Sequence, residues 1–485
     1  MTTLSALQRF APHWPALARP ASWTLAALTL LSACSSPAPH APTTPWSNAQ
    51  LGLQAPASTE VSARWWSGWG DVRLQGLIEQ ALKDHPNMQQ AQARVRRMQA
   101  AAGMSEAATQ PQVGLGADFS RQRYSANGLF PKPIAGNTWN NDTLQVSLGW
   151  TPDLWGEYAA ALAAAVGQAR TAEAEAAMAG QMLAAQILRS GIALARLLAQ
   201  SDNSAELIGL RETAQRLVRQ RQEAGLDTRI ERAQSEASLA ELQAQHHALQ
   251  EQIALVRHQL AVLCGLPPQA LQDYAPRLDS FALSPLPTQL GADLLGRRPD
   301  VAAARWRAQA AQQQVHVART QFYPSVNLGM FAGYNALGTE HLLDAGSRQY
   351  GIVPALRLPL FEGGRLKAQL SGREAEQDAA IAQYNQAVLD AVREAADAIR
   401  SSEGAAQQSA DQARALASAQ QAFGLAQQRE QAGLGNRLSV LSTQASLLGQ
   451  QRSAIDLQAR QLDVRVQLLR ALGGGWSADT ATAQR

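Results

Sequence analysis

The sequence predicts an internally duplicated α+β membrane protein. Each chain offers four β-strands to a barrel that several copies share, and long coiled-coil helices continue that barrel. Three observations carry this reading. The chain repeats itself at fixed spacings, segments of about ten residues alternate apolar and polar, and proline-free helical stretches run for about 70 residues.

The duplication comes first because it organises the rest. Pro86 in DHPNMQQAQARV recurs as Pro299 in GRRPDVAAARWRA, 213 positions on. The same step carries Pro111, Val113, Leu115 and Gly116 onto Pro324, Val326, Leu328 and Gly329. Farther along the step is 208. It carries Leu144, Leu148 and Gly156 onto Ile352, Leu356 and Gly364, and Ala224-Gly225-Leu226 onto Ala432-Gly433-Leu434. Arg257, Leu260 and Gly265 likewise fall on Arg465, Leu468 and Gly473. A five-residue deletion between about 125 and 350 reconciles the two steps. One repeat is placed at 64–265 and the other at 290–474, with a Pro- and Leu-rich linker at 266–289 and a tail at 475–485. Each repeat reads helix, strand, loop, strand, very long helix, tight turn, long helix.

Strands are expected at about 111–124, 139–151, 324–335 and 350–361. Val113, Leu115, Ala117 and Phe119 share one face, and Gln112, Gly114, Gly116, Asp118 and Ser120 the other. Leu144, Val146, Leu148 and Trp150 oppose Gln145, Ser147 and Gly149. The second repeat follows with Val326, Leu328, Met330, Ala332 and Tyr334, then Ile352, Leu356, Leu358 and Leu360, leaving Arg357 opposite. This period suits a half-exposed soluble sheet or a membrane barrel. Tyr124, Trp139, Trp150, Phe322, Tyr323, Tyr350 and Phe361 at the segment ends fit interfacial girdles.

The stretch from Gly156 to Ala224 has no proline and spans roughly 100 Å as a helix. A polar break is expected at Ser201-Asp202-Asn203-Ser204. The chain turns at Gly225 and returns from Thr228, where Thr228-Arg229-Ile230-Glu231 reads as a capping box. Asn436 is the corresponding N-cap of the second repeat. The first return helix has heptads, with Leu239, His246, Ile253 and Leu260 at one position and Leu242, Leu249, Val256 and Leu263 at the other. The second is looser, with Leu447, Ala454 and Leu468 beside Leu457 and Val464. No stretch beyond the N-terminal region reads as a transmembrane helix, so a membrane must be crossed by strands. Four strands do not close a barrel, small barrels need about eight, and lipid tolerates no open sheet edge. Several chains must therefore share one barrel, and this arithmetic does not choose their number.

The N-terminus carries its own signal. Arg9 and Arg19 precede an apolar run from Trp23 to Leu31, and small residues follow, which is the order of a secretory signal peptide over 1–33. Leu31-Ser32-Ala33-Cys34 resembles the lipobox of bacterial lipoproteins, whose cysteine becomes the lipidated N-terminus. Residues 34–63, rich in Pro, Ala, Thr and Ser, read as a tether. The net charge of +3 falls to +1 once Arg9 and Arg19 are removed, and no basic tract points to nucleic acid. Cys264 is then the remaining one of two cysteines, so no intrachain disulfide forms. It reads as a small core residue.

Taken together, the lipobox, RWWSGWGDVRLQGLIEQAL, LLGRRPDVAAARWRAQAA, TQFYPSVNLG, LPLFEGGRLKAQL and EAGLDTR resemble the outer membrane factor family, in particular its NodT-type efflux lipoproteins. The ordered set, from about 22 to 475, is specific where no one motif is. The resemblance implies a homotrimer: a twelve-stranded barrel in the outer membrane of a Gram-negative bacterium, continued by a helical tunnel into the periplasm. It implies N-palmitoyl and S-diacylglycerol groups on Cys34, with Ser35 permitting export to the outer membrane. It implies a periplasmic adaptor docking at the tips Gly225, Leu226, Gly433 and Leu434, and an inner-membrane pump behind it. The family's constriction aligns with Leu438 and Ser442, with Arg429 just before the turn. Family members often carry aspartate where Ser442 stands. Asp227 is placed either to supply negative charge there or to cap the return helix.

No catalytic constellation is found, and no cofactor is expected beyond the lipid. EGGRLKAQ lacks the spacing and ending of a phosphate loop, and HExxH and GxSxG are absent from the sequence. His247 and His258 read as solvated or seam residues, and the tryptophans of WWSGWG as a packing staple. The expected function is a passive exit duct for drugs or other small toxic compounds. A non-conducting coiled-coil bridge between membranes and an exit duct for type I protein secretion stay open beside it.

Overall fold

The computed structural model describes residues 41, 43–46, 62–281 and 297–476. The expected signal peptide, Cys34, most of the tether, the last third of the linker with the first seven residues of the second repeat (282–296), and the tail from 477 lie outside the described residues. The described residues from Thr43 onward form one compact unit.

After a short 3-10 turn at Trp65–Trp69, helices α1 (Val72–Asp84) and α2 (Pro86–Ala107) lead into strands β1 (Gln112–Arg123) and β2 (Thr138–Trp150). Helices α3 (Glu157–Glu223) and α4 (Arg229–Leu263) complete the first repeat. The second has α5 (Pro299–Thr320), β3 (Ser325–Leu337), β4 (Arg348–Arg357), α6 (Arg365–Gln431) and α7 (Arg437–Ala471). Helices α2 and α5 have 22 residues each, α3 and α6 have 67 each, and α4 and α7 have 35 each. At about 1.5 Å per residue, α3 and α6 are each about 100 Å long.

Local chemistry sets the boundaries. Pro86 and Pro299 open α2 and α5, where a missing N–H costs nothing. Asp71 caps α1 by accepting the Leu74 amide at 2.9 Å. Gly156 and Gly364, at φ 78° and 86°, turn the chain from the strands into α3 and α6.

Three expectations need correction. Helix α3 runs through Ser201–Ser204 without a break. Ser204 is buried there, and Asn203 donates to the Leu448 carbonyl at 3.2 Å, so packing against α7 overrides the weak helix preference of these residues. The fourth strand ends at Arg357, short of 361. Pro359 has no amide for a ladder, and Leu360 and Phe361 stand exposed. Finally, α3 does hold a window apolar enough for a membrane span, with mean hydropathy 1.4, but 61% of it is buried inside the protein. It is the core helix.

Around α3 lie α2, α4, α5 and α7, and α5 and α7 both also contact α6. The main core gathers Ile187, Leu188 and Leu194 of α3 with Leu74 and Ile78 of α1, Leu260 of α4 and Leu462 of α7. Trp65 and Trp69 pack into it, which is the staple role. The described part of the linker lies on the same core through Leu271, Tyr274, Leu278 and Phe281. The Tyr274 hydroxyl donates to Asp71 at 2.7 Å. Gly191 lets α1 close onto α3, since a Cβ there would meet Leu74 at 2.7 Å. At the far edge, buried Arg298 binds Asp300 at 2.6 Å, Glu394 at 3.0 Å and the Ala471 carbonyl at 3.1 Å. One guanidinium thus ties α5, α6 and α7 together. Burial pushes the Cys264 thiol up to about 12, which makes it an inert core residue.

Candidate functional site

The strands form one antiparallel sheet in the order β1-β2-β3-β4. Val113 pairs with Leu148, Leu148 with Met330, and Met330 with Ile352. Leu115, Val146 and Ala332 form the next row with Tyr350. Cross-strand partners share a face, so in these rows one face is apolar across all four strands, while toward the loops the same face carries buried Asp142, opposite Phe119, and Arg348, opposite Tyr334. Val113, Leu115, Phe119, Tyr350, Ile352 and Leu356 of that face are exposed in the chain. The other face carries Gln112, Asp118, Ser120, Thr143, Gln145, Ser147, Asn327, Asn335 and Gln349, with several glycines. Phe331 also lies there, over Gly351, where a Cβ would meet its ring at 2.8 Å.

Such a sheet fits lipid on one side and water on the other. Tyr124, Trp139 and Tyr350 fall at the loop end, and Trp150, Phe322, Tyr323 and Phe361 at the helical end. Trp155 stacks on Tyr323 with centroids 5.1 Å apart and donates to the Pro324 carbonyl at 2.7 Å. Within the chain β1 and β4 are open edges, and open edges do not persist in a bilayer.

At the opposite end both helical turns have the same chemistry. Gly225 and Gly433 adopt φ 75° and 74°. The Leu226 amide donates to the Arg221 carbonyl at 2.8 Å, and the Leu434 amide to the Arg429 carbonyl at 2.9 Å. These are Schellman motifs, which end a helix with its last carbonyls satisfied. Leu226 and Leu434 are left 68% and 72% exposed, so the turns do not use these side chains for packing.

Asp227 is not a helix cap. Thr228 caps α4 by accepting the Ile230 amide at 3.1 Å, and Glu231 accepts the Thr228 amide at 2.8 Å. Asp227 makes a two-point pair with Arg221 at 2.9 and 3.0 Å. The Arg221 guanidinium holds its carboxyl below the usual aspartate range, and its charge is spent on that partner. The duplication puts Arg429 at the position of Arg221 but Gly435 at that of Asp227. Exposed Arg429 reaches the Leu434 carbonyl at 3.4 Å instead. Asn436 caps α7 through the Ser439 amide at 2.8 Å.

Leu438 is half-buried beside Leu210, Leu441 and Leu448, in the seam between α3 and α7. Ser442 is exposed. The structure thus brings Leu438, but not Ser442 or Arg429, into packing within the chain. Farther up this seam, Arg189 pairs with Asp463 at 2.5 Å and Arg196 with Asp456 at 3.1 Å. Gln200 donates to Asp456 at 2.6 Å. The sequence reading misses this ladder. Its signal is two arginines seven apart on α3 and two aspartates seven apart on α7. It also misses the stripe Leu441, Leu448, Ile455 and Leu462, by which α7 packs on α3 as well as on α6.

His247 and His258 are exposed on α4. Among the described residues no group of three His, Cys, Asp or Glu is placed to hold a metal ion.

Comparison with known proteins agrees with this geometry. The family described as outer membrane efflux protein matches residues 77–266 and 290–474. Fusaric acid resistance protein FusA of Burkholderia cepacia is 36% identical over 321 residues, which cover 65% of this chain and 60% of FusA. This chain thus matches less than two thirds of that relative's length. Multidrug resistance outer membrane protein MdtP of Escherichia coli K12 is 32% identical over 388 residues, covering 76% of this chain and 78% of MdtP. The crystal structure of the outer membrane protein VceC from Vibrio cholerae is 36% identical, with a TM-score of 0.78, over 85% of this chain and 99% of that one. The CmeC outer membrane channel of Campylobacter jejuni shares the fold at 19% identity, with a TM-score of 0.80 over 93% of this chain and 97% of CmeC. With the family matched across both repeats, this chain belongs to the outer membrane efflux protein family.

Proposed function

We propose that three copies close twelve strands into an outer-membrane pore and that their helices form a periplasmic tunnel. The assembly is a passive exit duct, carrying drugs or other small toxic compounds from an inner-membrane pump and a periplasmic adaptor to the exterior. The observation that supports it best is the sheet: one face mainly apolar in its lower rows across four strands, the other mainly polar, and both edges open. Two copies give eight strands, a barrel largely filled by its own side chains, while three give room for a channel. A head-to-tail contact about one axis closes such a ring. Helices of about 100 Å fit a tunnel standing well clear of the membrane.

The duct performs no chemistry of its own, so the pump supplies the energy. Exposed Leu226 and Leu434 offer the adaptor apolar contacts at turns whose backbone is already satisfied. Gly225 and Gly433 shape those turns. The aperture lies near Leu438, Ser442, Arg429 and Asp227. With Asp227 neutralised by Arg221 and serine at 442, no carboxylate ring is built from these positions, and cation selectivity is weak. Cys34 anchors the N-terminus through N-palmitoyl and S-diacylglycerol chains; each buried CH₂ contributes about 0.8 kcal/mol, so several chains hold firmly. The names of FusA and MdtP support drug-like cargo.

Reconstitution in planar bilayers tests the reading. Stable conductance steps are expected, from a species of three chains by mass. Membrane binding without conductance would replace the duct with a coiled-coil bridge.

A further inference from the structure

Helix α6 carries a feature that its repeat counterpart α3 lacks. Asn385 is 8% exposed. Its Oδ1 accepts the Trp46 amide at 3.0 Å, and its Nδ2 donates to the Thr44 carbonyl at 3.2 Å. Seven residues earlier on the same helix, Asp378 Oδ1 accepts the Thr43 amide at 2.9 Å. Both ends of one side-chain amide therefore hold the backbone of Thr43–Trp46, with a carboxylate holding it one step upstream. Pro42 and Pro45 favour extended backbone in this stretch, which is the form that two such contacts seven helical residues apart require.

The duplication supplies an internal control. The 208-residue step places Ala177 at the position of Asn385 and Arg170 at that of Asp378. Arg170 lies over the Trp306 ring, 4.6 Å from its centroid. At the corresponding positions, where no arm lies among the described residues, α3 carries an alanine and a cation. A buried amide without partners is strongly unfavourable, so Asn385 is accounted for by the arm.

The direction of the arm is also fixed. Thr43 lies at Asp378 and Trp46 at Asn385, so the arm runs in the sense of α6, away from the sheet. Asp378 is 13 residues beyond Arg365, about 20 Å along the helix. Cys34 precedes Thr43 by nine residues, which reach at most about 30 Å. By contour length alone, nine residues exceed the distance from Asp378 back to Arg365.

We propose that Asn385 and Asp378 form a docking seat for the N-terminal arm, and that the seat sets the height at which the lipid of Cys34 enters the membrane. The seat rests on the geometry of Thr43–Trp46; its use for anchoring rests on the reading of Cys34 as the lipidated N-terminus.

Hydrogen exchange by mass spectrometry on the full-length purified protein, followed over the peptide that spans residues 43–46, tests the seat. Protected amides are expected at Thr43 and Trp46. Asn385→Leu, whose helix neighbours are apolar, should raise exchange in that peptide by about tenfold or more and leave the rest of α6 unchanged. Cys34→Ser should leave the protection in place while abolishing lipid labelling. Exchange at the free-chain rate in the native protein, or no response to Asn385→Leu, would overturn the seat. A protected arm in a mature protein that carries no lipid on Cys34 would overturn the anchoring role and leave the seat standing.

Discussion

Arg357 lies opposite Ser325 at the base of the second hairpin, and the duplication carries that pair onto Gly149 and Gln112 at the base of the first. The two hairpins share one register. The β2–β3 contact is the boundary between repeats, and it pairs Leu148 with Met330 and Leu144 with Tyr334. In a closed ring the next such boundary joins β4 of one copy to β1 of the next. The same two steps carry Leu148 to Leu356 and Met330 to Ala117, and they carry Leu144 to Ile352 and Tyr334 to Arg121.

The first prediction is that register. Leu356→Cys combined with Ala117→Cys should link neighbouring copies by disulfide on mild oxidation, since directly opposed strand residues lie about 4.5–5.5 Å apart. Leu356→Cys with Asp118→Cys places the thiols on opposite faces and should not link. Faster linkage of the second pair would mean that the edges meet one residue out of step. Buried Cys264 is a silent background thiol.

Much of the fold was legible because duplication and period-two strands are patterns of spacing, which need no knowledge of packing. The tips were legible because Ala-Gly-Leu, recurring at the ends of two long helices, demands a left-handed glycine. Legibility failed where a residue's partner comes from a distant helix. Ser201–Ser204 looked like a break because the sequence does not show Leu448 receiving Asn203. Asp227 looked like a cap because it precedes Thr228, yet its partner Arg221 lies across the turn. The α7 stripe from Leu441 to Leu462 was hidden because α7 packs on two helices at once, and superposed seams blur a heptad. The missing aspartate partner of Arg429, by contrast, could have been found by aligning Asp227 with Gly435.

The second prediction separates two kinds of contact in the α3–α7 ladder. The Arg196 and Asp456 side chains are partly exposed, at 39% and 44%, so Arg196→Ala should cost about 1 kcal/mol, and less at high salt. Asp456→Ala also strips the acceptor from Gln200, whose side chain is buried. That leaves an unpaired amide and should cost about 1–3 kcal/mol with little salt dependence. Thermal unfolding followed by helical circular dichroism at two ionic strengths reads the difference. Equal, salt-sensitive losses would show that Gln200 finds another acceptor.

The third concerns the tips. Leu226 and Leu434 are exposed, and their turns are held by backbone hydrogen bonds, so Leu226→Asp with Leu434→Asp should leave folding and conductance unchanged. Drug tolerance of cells that depend on this duct should fall to that of cells lacking it, because a charge replaces each apolar contact. Gly433→Trp is the harsher variant, since a left-handed backbone there adds strain of about 1–2 kcal/mol to any effect on docking. Full tolerance in the double aspartate variant would remove these leucines from the docking surface.

The last prediction decides what Leu438 does. Its side chain is half-buried against Leu210, Leu441 and Leu448, so truncation to alanine removes packing from a seam within one chain. A fully buried leucine costs about 2–5 kcal/mol on truncation, and a half-buried one should sit near or below the lower end of that range. Single-channel conductance of the surviving assemblies should stay at the native value. Ser442 lies one turn on and is exposed. Ser442→Asp would add one carboxylate per copy at the same level, and the reversal potential in a salt gradient should move toward cation selectivity with stability unchanged. If Leu438→Ala instead raises conductance without loss of stability, the side chain plugs the pore by dewetting. If Ser442→Asp leaves the reversal potential where it was, the constriction lies at another level of the tunnel.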